Sequence, residues 1–421
     1  MLRIPMLVRF CAYGFLKNQR YFEPFFVLAL LEKNLTFFQI GILFSFREFM
    51  INIVEIPSGS FADIYGRRRS MLISFFAYIL SFFIFGSMDH YSLLFVAMFF
   101  YAIGDAFRSG THKSMIFSYL RINGKQDQRL TYYGTTRSWS KMGSALSAII
   151  SGFFVYYFQA YAFIFYFSCI PYMINVLNLL TYPAELNGKM PEKGPVIHVF
   201  KHTKNALREI FKTTALRNLI YESMGFDGVF STMKEYLQPA LKALAIGMLM
   251  HASLLKNLTD IQKSVILIVP VYTLLFLTSA WISRNAQKII TTLGNENIAA
   301  LISWGFFLIF SVTLTIAGFA GILWFVALAF VLMYSLQNLW RPFLLSRLDS
   351  CSKEQHGATI LSIESQSRRV VTVVLAPLLG YGFDALKTGQ TDMEYALVGI
   401  LGIVSSILFL SKGLIKFKNQ I

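Results

Sequence analysis

Long apolar runs alternate with short polar connections along almost the whole chain. Runs of about 20 mostly apolar residues, the length at which a helix crosses a hydrocarbon core, recur near 10–31, 37–62, 70–88, 92–120, 131–157, 162–182, 218–238, 264–283, 297–317, 320–346, 357–383 and 395–411. The pattern predicts an all-α integral membrane protein with twelve transmembrane helices. A further apolar segment, 239–255, either extends the seventh span or lies along the outer surface. The longest polar stretch, 183–214, carries Pro183, Gly188, Pro191, Gly194 and Pro195 ahead of a basic amphipathic run from Ile197 to Lys212. It divides the chain into a six-helix bundle at 1–185, a cytoplasmic linker at 186–214 and a second six-helix bundle at 215–421. The amphipathic run suits the inner membrane surface, with a solvated linker as the alternative.

The two halves echo each other. Arg137-Ser138-x-Ser140-Lys141, early in the fifth span, aligns with Glu364-Ser365-x-Ser367-Arg368, early in the eleventh. Equivalent placement of the serines and the trailing basic residue is what a duplicated, pseudo-symmetric six-helix unit predicts.

Composition narrows the function classes. Of 421 residues, 55% are hydrophobic and only 14% charged, against about a quarter charged in soluble domains. A soluble enzyme, a disordered chain and a nucleic-acid-binding module are excluded as the main body. The net charge of +16 sits mostly between apolar runs. Arg3, Arg9, Arg67–Arg69, Arg121, Lys125, Arg129, the 189–217 stretch, Arg284, Lys288, Arg347, Lys353 and the C-terminal lysines fall on one side. Only Lys33, Lys242, Lys256, Lys263 and Lys387 fall on the other. Basic connections stay in the cytoplasm, so both termini are expected inside, in a bacterial cytoplasmic (inner) membrane. The first span, split by Lys17 and Arg20 and without a small-residue cleavage site after it, is expected to be retained. Cys11, Cys169 and Cys351 show no metal spacing, the six histidines form no metal set, and no phosphate-binding loop is visible. No metal, cofactor or nucleic acid is therefore expected, and ATP does not drive the protein directly.

One stretch is specific. Glu55-Ile-Pro-Ser-Gly-Ser-Phe-Ala-Asp-Ile-Tyr-Gly-Arg-Arg-Arg69 joins the second and third spans. Gly59-x3-Asp63-x2-Gly66-Arg67-Arg68 resembles the signature loop of major facilitator superfamily transporters, at the position where that family carries it. The run from Leu31 to Gly41 and the stretch Gln355 to Ser365, followed by Pro377-Leu-Leu-Gly380, resemble the same family. The resemblance implies two six-helix bundles that rock about a central site, and a gating loop made of Gly59, Asp63, Gly66, Arg67 and Arg68. Physically, the glycines permit close approach and a tight turn. Asp63 can accept hydrogen bonds from a neighbouring helix N-terminus, which the resemblance identifies as that of the eleventh span. The corresponding loop of the second half, Ser283 to Gly294, lacks the Asp.

Charges inside the spans carry the functional expectation. Eleven are basic (Lys17, Arg20, Arg47, Arg108, Lys113, Arg137, Lys141, Lys234, Arg341, Arg368, Arg369) and eight acidic (Glu23, Glu48, Glu55, Asp105, Glu222, Asp227, Glu235, Glu364). At about 3 kcal/mol for each charge facing lipid, they would cost on the order of 50 kcal/mol, far beyond a domain's stability of about 5–15 kcal/mol. Most must pair or face a wet interior. Helical spacing pairs Arg20 with Glu23, Asp105 with Arg108, and Glu364 with Arg368. Arg137 and Lys141 share a face and need an anion or acids from elsewhere. Spans 3, 6, 9 and 12 hold none of these charges, and the resemblance makes them the lipid-side scaffold; span 8, which the resemblance places at the cavity, is uncharged too. The substrate and proton pathway is therefore expected among Arg20, Glu23, Arg47, Glu48, Asp105, Arg108, Arg137, Lys141, Asp227, Glu364 and Arg368. Arg108-Ser-Gly110 also resembles the family's span-4 arginine motif, associated with proton coupling. The expected protein is a monomeric secondary transporter of a small anionic or zwitterionic solute, coupled to protons or another ion. A sensor or partner-binding protein that kept the fold is the alternative.

Overall fold

The computed structural model describes residues 5–187, 210, 212–249, 257–293, 296–351, 357–387 and 392–418. Most of the expected linker lies outside them. Every described regular element is a helix, and every predicted span coincides with helical segments. In chain order these are α1 Met6–Lys17, a 3-10 turn Glu23–Phe25, α2 Phe26–Glu32, α3 Phe37–Tyr65, α4 Arg67–Ser87, α5 Tyr91–Arg108, α6 Thr111–Ile122, α7 Arg129–Phe158 and α8 Ala162–Leu180. After the linker come α9 Thr214–Ser223, a π-turn Met224–Gly228, α10 Val229–Met233, α11 Leu237–Leu249, α12 Asp260–Leu293, α13 Glu296–Ala320, α14 Leu323–Cys351, α15 Gly357–Leu386 and α16 Glu394–Lys418.

Among the described residues, 9 helical segments are long and apolar enough to cross a membrane. The predicted spans outside that set are the first, fifth and seventh, and each has a physical reason. Span 1 breaks at residues 18–22. α7 is continuous but carries Arg129, Arg137 and Lys141 among many Ser and Thr. Span 7 is divided by the π-turn and a 3-10 turn at Lys234–Tyr236. The apolar segment after it continues span 7 as α11, burying Ala240, Leu241, Leu244 and Ala245.

The described residues fall into two compact units. One comprises Met1–Lys33, Phe46–Val199 and Ile268–Ala280; the other comprises Asn34–Ser45, Phe200–Leu267 and Trp281–Ile421. In the first unit, serines zip α4 to α5. Ser70, Ser74 and Ser81 donate to the carbonyls of Phe107 (2.9 Å), Gly104 (2.6 Å) and Ala97 (2.8 Å). Small polar residues of this kind let helices approach and bond where apolar burial gives no drive, since lipid is equally apolar. The opposite face of α4 presents Ile73, Phe76, Leu80 and Phe83 outward. α8, α13 and α16, which carry spans 6, 9 and 12, expose similar stripes, for example Ile302, Phe306, Ile309 and Ile316. Apolar surface on this scale would not stay dispersed in water.

In the second unit, α13 and α16 pack through glycine. A Cβ on Gly399 would lie 2.3 Å from Thr315 Oγ1 and 2.6 Å from Thr315 N. The start of α3 is clasped to the end of α15 in the same unit. Asp384 accepts from the Phe37 N–H (3.0 Å) and the Phe38 N–H (2.8 Å), capping α3 with an anion where its dipole is positive. Gly41 meets the backbone of Ala376, and Gly380 that of Phe37. Pro377 removes a hydrogen bond from the Val373 carbonyl, and Ser45 Oγ donates to that carbonyl at 2.7 Å.

Candidate functional site

The break in span 1 builds the first cluster. Between Lys17 and Glu23 the helical ladder stops, and side chains restore the pairing. Asn18 Nδ2 donates to the Gly14 (3.0 Å) and Ser140 (2.8 Å) carbonyls, and Gln19 Nε2 to the Gly143 carbonyl (3.0 Å). Arg20 leaves this break toward three tyrosines. Nε donates to Tyr172 Oη (2.9 Å), Nη1 to Tyr101 Oη (3.0 Å) and Nη2 to Tyr78 Oη (3.1 Å). Its guanidinium also lies over the Tyr78 and Tyr101 rings, 5.3 and 5.6 Å from their centroids. Gly104 makes room for Tyr78, because a Cβ there would lie 2.8 Å from the ring.

Asp105 on α5 is the shared anion. It accepts from the Tyr78 hydroxyl and from Arg108 Nη2 at 2.9 Å, and lies 3.6 Å from Arg20 Nη2. Arg108 Nε donates to Tyr78 Oη at 3.2 Å. Tyr78, Tyr101 and Tyr172 stand in the middle stretches of α4, α5 and α8, roughly 10–17 Å from the helix ends at 1.5 Å per residue. Arg20, Asp105 and Arg108 are nevertheless 19%, 22% and 23% exposed. Charge at this depth that keeps about one-fifth of its surface exposed marks a wet interior.

The second cluster lies in the other unit, with both of its carboxylates fully buried and its two arginines 28% and 24% exposed. Arg341 on α14 donates through Nη1 to Asp227 Oδ2 (3.0 Å) and Glu364 Oε1 (2.6 Å), and through Nη2 to Glu364 Oε2 (2.8 Å). Gln337 Nε2 adds a bond to Asp227 Oδ1 at 3.3 Å, and Ser223 donates to Glu364. Arg368 stands 3.8 Å from both carboxylates. Asp227 and Glu364 are 0% exposed. Two arginines meet two carboxylates, so the cluster is neutral. Asp227 projects from the π-turn, an insertion that re-aims side chains and recurs at functional positions.

The predicted residues distribute as follows. Arg20, Asp105 and Arg108 meet in the first cluster, and Asp227, Glu364 and Arg368 in the second. Arg47 and Glu48, neighbours on α3, bond each other (2.7 Å), with the Arg47 guanidinium over the Tyr101 ring at 5.6 Å. Lys141 donates to Ser279 Oγ at 2.7 Å. Glu23 is half-buried on the 3-10 turn, and Arg137 is exposed on α7. The i,i+3 pairing of Asp105 with Arg108 forms at 2.9 Å. The i,i+4 pairing of Glu364 with Arg368 is looser, because Arg341 holds the carboxylate. For Arg20 and Glu23 the spacing argument fails, since residues 18–22 are not helical. Tyr78, Tyr172 and Gln337 escaped the sequence reading, as nothing separates them from the other tyrosines and amides. Arg341 carried a signal, a charge within an apolar run.

The signature loop proves almost entirely helical. α3 runs to Tyr65 and α4 begins at Arg67, so the connection is Gly66 alone, at φ +99°, a conformation that favours glycine. Gly59, expected at a close approach, has nothing within 4 Å of where a Cβ would stand. Arg67 Nη1 donates to Ser118 Oγ (2.6 Å), and Arg68 Nη1 to the Tyr182 carbonyl (3.2 Å). The Asp63 side chain, and with it the expected latch, lies outside the described side chains. Among the described residues, no group of three or more His, Cys, Asp or Glu could hold a metal ion.

A model of the family described as Major Facilitator Superfamily matches residues 6–363. The chain is 25% identical over 228 residues to an uncharacterized MFS-type transporter, YxaM, of Bacillus subtilis (strain 168). That match covers 54% of this chain and 56% of the relative, a little over half its length. Among solved structures, the nucleoside transporter NupG superposes with a TM-score of 0.74 at 13% identity, covering 99% of this chain and 100% of that one. A POT family transporter in complex with 5-aminolevulinic acid superposes with a TM-score of 0.69 at 14% identity, covering 96% and 94%. At such identities the likeness is one of fold.

Proposed function

The chain belongs to the Major Facilitator Superfamily, a family of multi-pass membrane transporters rather than enzymes, and from that premise we propose that it is a secondary active transporter of a small anionic or zwitterionic solute. Alternating access by two six-helix halves, 1–185 and 215–421 joined by the 186–214 linker, with proton coupling and both termini in the cytoplasm of a bacterial cell, completes the reading.

One observation carries it. Arg20, Asp105 and Arg108 meet with three tyrosine hydroxyls at mid-span while staying about one-fifth exposed. A carboxylate shared by two arginines and itself partly exposed at mid-membrane suits a solute site. Proton coupling is proposed for Asp105 in this cluster and for Asp227 and Glu364 in the neutral one, because carboxylates held by arginines at this depth change partner when they change charge.

The test is flux in proteoliposomes across a panel of small anions, zwitterions and neutral solutes, with and without a pH gradient. Wild-type protein is expected to move at least one anion or zwitterion faster with the gradient than without. Arg108→Ala is expected to abolish that flux while eluting as folded protein. Near-normal flux in Arg108→Ala removes the cluster from the mechanism, and absence of gradient dependence removes the protons.

A further inference from the structure

The charges of the first cluster do not balance. Arg47 is matched by Glu48 on its own helix. Asp105 serves Arg20, Arg108 and the Tyr78 hydroxyl together. Lys17, the last residue of α1, stands beside them half-buried, with its Nζ 6.0 Å from the Tyr13 ring centroid and in no ion pair among the described residues. Arg20 and Arg108 therefore share a single carboxylate, and Lys17 adds a third basic group with none.

Lys17 is also joined to the arginine cage through the backbone. Tyr172 Oη donates to the Lys17 carbonyl at 2.8 Å and accepts from Arg20 Nε at 2.9 Å. The wall on the far side of Tyr13 is His112, stacked on that ring at 3.5 Å and bonded to the Tyr182 hydroxyl. A lysine in the last turn of a helix gains something from the dipole. That gain is smaller than the cost of leaving a charge unpaired at mid-membrane.

We propose that Lys17 is the recognition residue for an oxyanion, a carboxylate or phosphate group on the transported solute, which supplies the missing negative charge between Lys17, Arg20 and Arg108. The assignment rests on the transporter reading for its physiological meaning and on the charge imbalance for its chemistry. The ammonium gives a point charge and three rotatable donors, whereas the Arg20 fork is largely committed to its tyrosines.

Thermal-shift titrations of the full-length purified protein test this directly. The probes are sodium benzoate, sodium succinate and inorganic phosphate, each against sodium chloride of equal ionic strength and against uncharged mannitol. At least one oxyanion is expected to raise the wild-type melting temperature saturably, which chloride and mannitol do not. In Lys17→Met the half-saturating concentration should rise at least about tenfold, the equivalent of about 1.4 kcal/mol, while Lys17→Arg stays near wild type. Lys17→Gln is read in parallel, so that a misfolded methionine variant does not decide the matter. A purely dipole-stabilising lysine would lower the melting temperature of the unliganded variant without moving the half-saturation point. Unchanged half-saturation in the neutral variants, stabilisation by mannitol but no oxyanion, or no stabilisation by any probe each overturns the proposal. The carboxylate and phosphate arms separate the two sources of the anion. Arg108-dependent flux of a neutral solute would overturn the oxyanion and leave transport standing; Lys17-dependent oxyanion binding without flux would do the reverse.

Discussion

Removing the Arg341 guanidinium leaves two carboxylates stranded. Asp227 and Glu364 are fully buried, and Arg341 makes three bonds to them at 3.0, 2.6 and 2.8 Å. Bonds to charged groups contribute about 1.5–3 kcal/mol each, so three of them represent roughly 4.5–9 kcal/mol before any relaxation. Arg368, already 3.8 Å from both acids, can close part of the gap. Ser223 and Gln337 keep their own bonds. The expected loss for Arg341→Met is therefore about 3–5 kcal/mol, the usual cost of breaking one side of a buried pair. The assay is reversible unfolding in mixed micelles at rising SDS fraction, followed by tryptophan fluorescence. Trp340 is buried beside the substitution, stacked on Phe226 at 4.5 Å. The triple variant Arg341→Met, Asp227→Asn, Glu364→Gln removes the stranded charges and should recover at least half of the loss. A single variant within about 0.5 kcal/mol of wild type, the range of an ordinary surface substitution, would refute the reasoning, and so would a triple variant no more stable than the single.

Two further stability predictions rest on backbone geometry. Gly399→Val pushes a side chain into Thr315, where even a Cβ would lie 2.3 Å from Oγ1, and should destabilise by about 1–3 kcal/mol in the same assay. Asp384→Ala strips the cap from two amides of α3 and should cost about 0.5–2 kcal/mol, whereas Asp384→Asn keeps an acceptor and should lose less.

The fold was legible because membrane helices announce themselves by length and apolarity, and because a polar stretch near the middle separates two similar halves. The interruptions were not legible. Nothing in Asn18-Gln19-Arg20-Tyr21-Phe22 signals that the helix stops, since the break is held by partners distant in sequence: the Asn18 and Gln19 side-chain amides donate to carbonyls of α7, and the Tyr21 N–H to a hydroxyl of α8. The π-turn at Met224–Gly228 has the same character: two glycines hint at it, but its register is fixed by α14 and α15. Charged residues were found because each is costly at this depth and so must be explained. Tyr78 and Tyr172 do not stand out in the sequence because tyrosines are at home both in lipid and in a site. The Gly59 expectation failed because a glycine in sequence does not reveal whether another backbone stands opposite it, while Gly66 succeeded because a positive φ needs no neighbour. Asp384 lies one residue past the predicted end of span 11, where a carboxylate needs no explanation, yet it caps a helix some 350 residues earlier in the chain.

The contrast between the two clusters bears on how a moving membrane protein can hold charge. A neutral cluster with both acids fully buried, as around Arg341, has its cost settled within the protein and loses stability when any member is removed. A cluster that carries excess positive charge and leaves its one acid partly exposed, as around Arg20 and Arg108, settles its cost with something that comes and goes. Water does this partially through hydration, and an anion does it more completely. The unbalanced cluster should therefore tolerate substitution with little loss of stability but large loss of binding, and the neutral cluster the reverse. That separation follows from the charge count and the burial of the acids, and it requires the two sets of variants to fail in different assays.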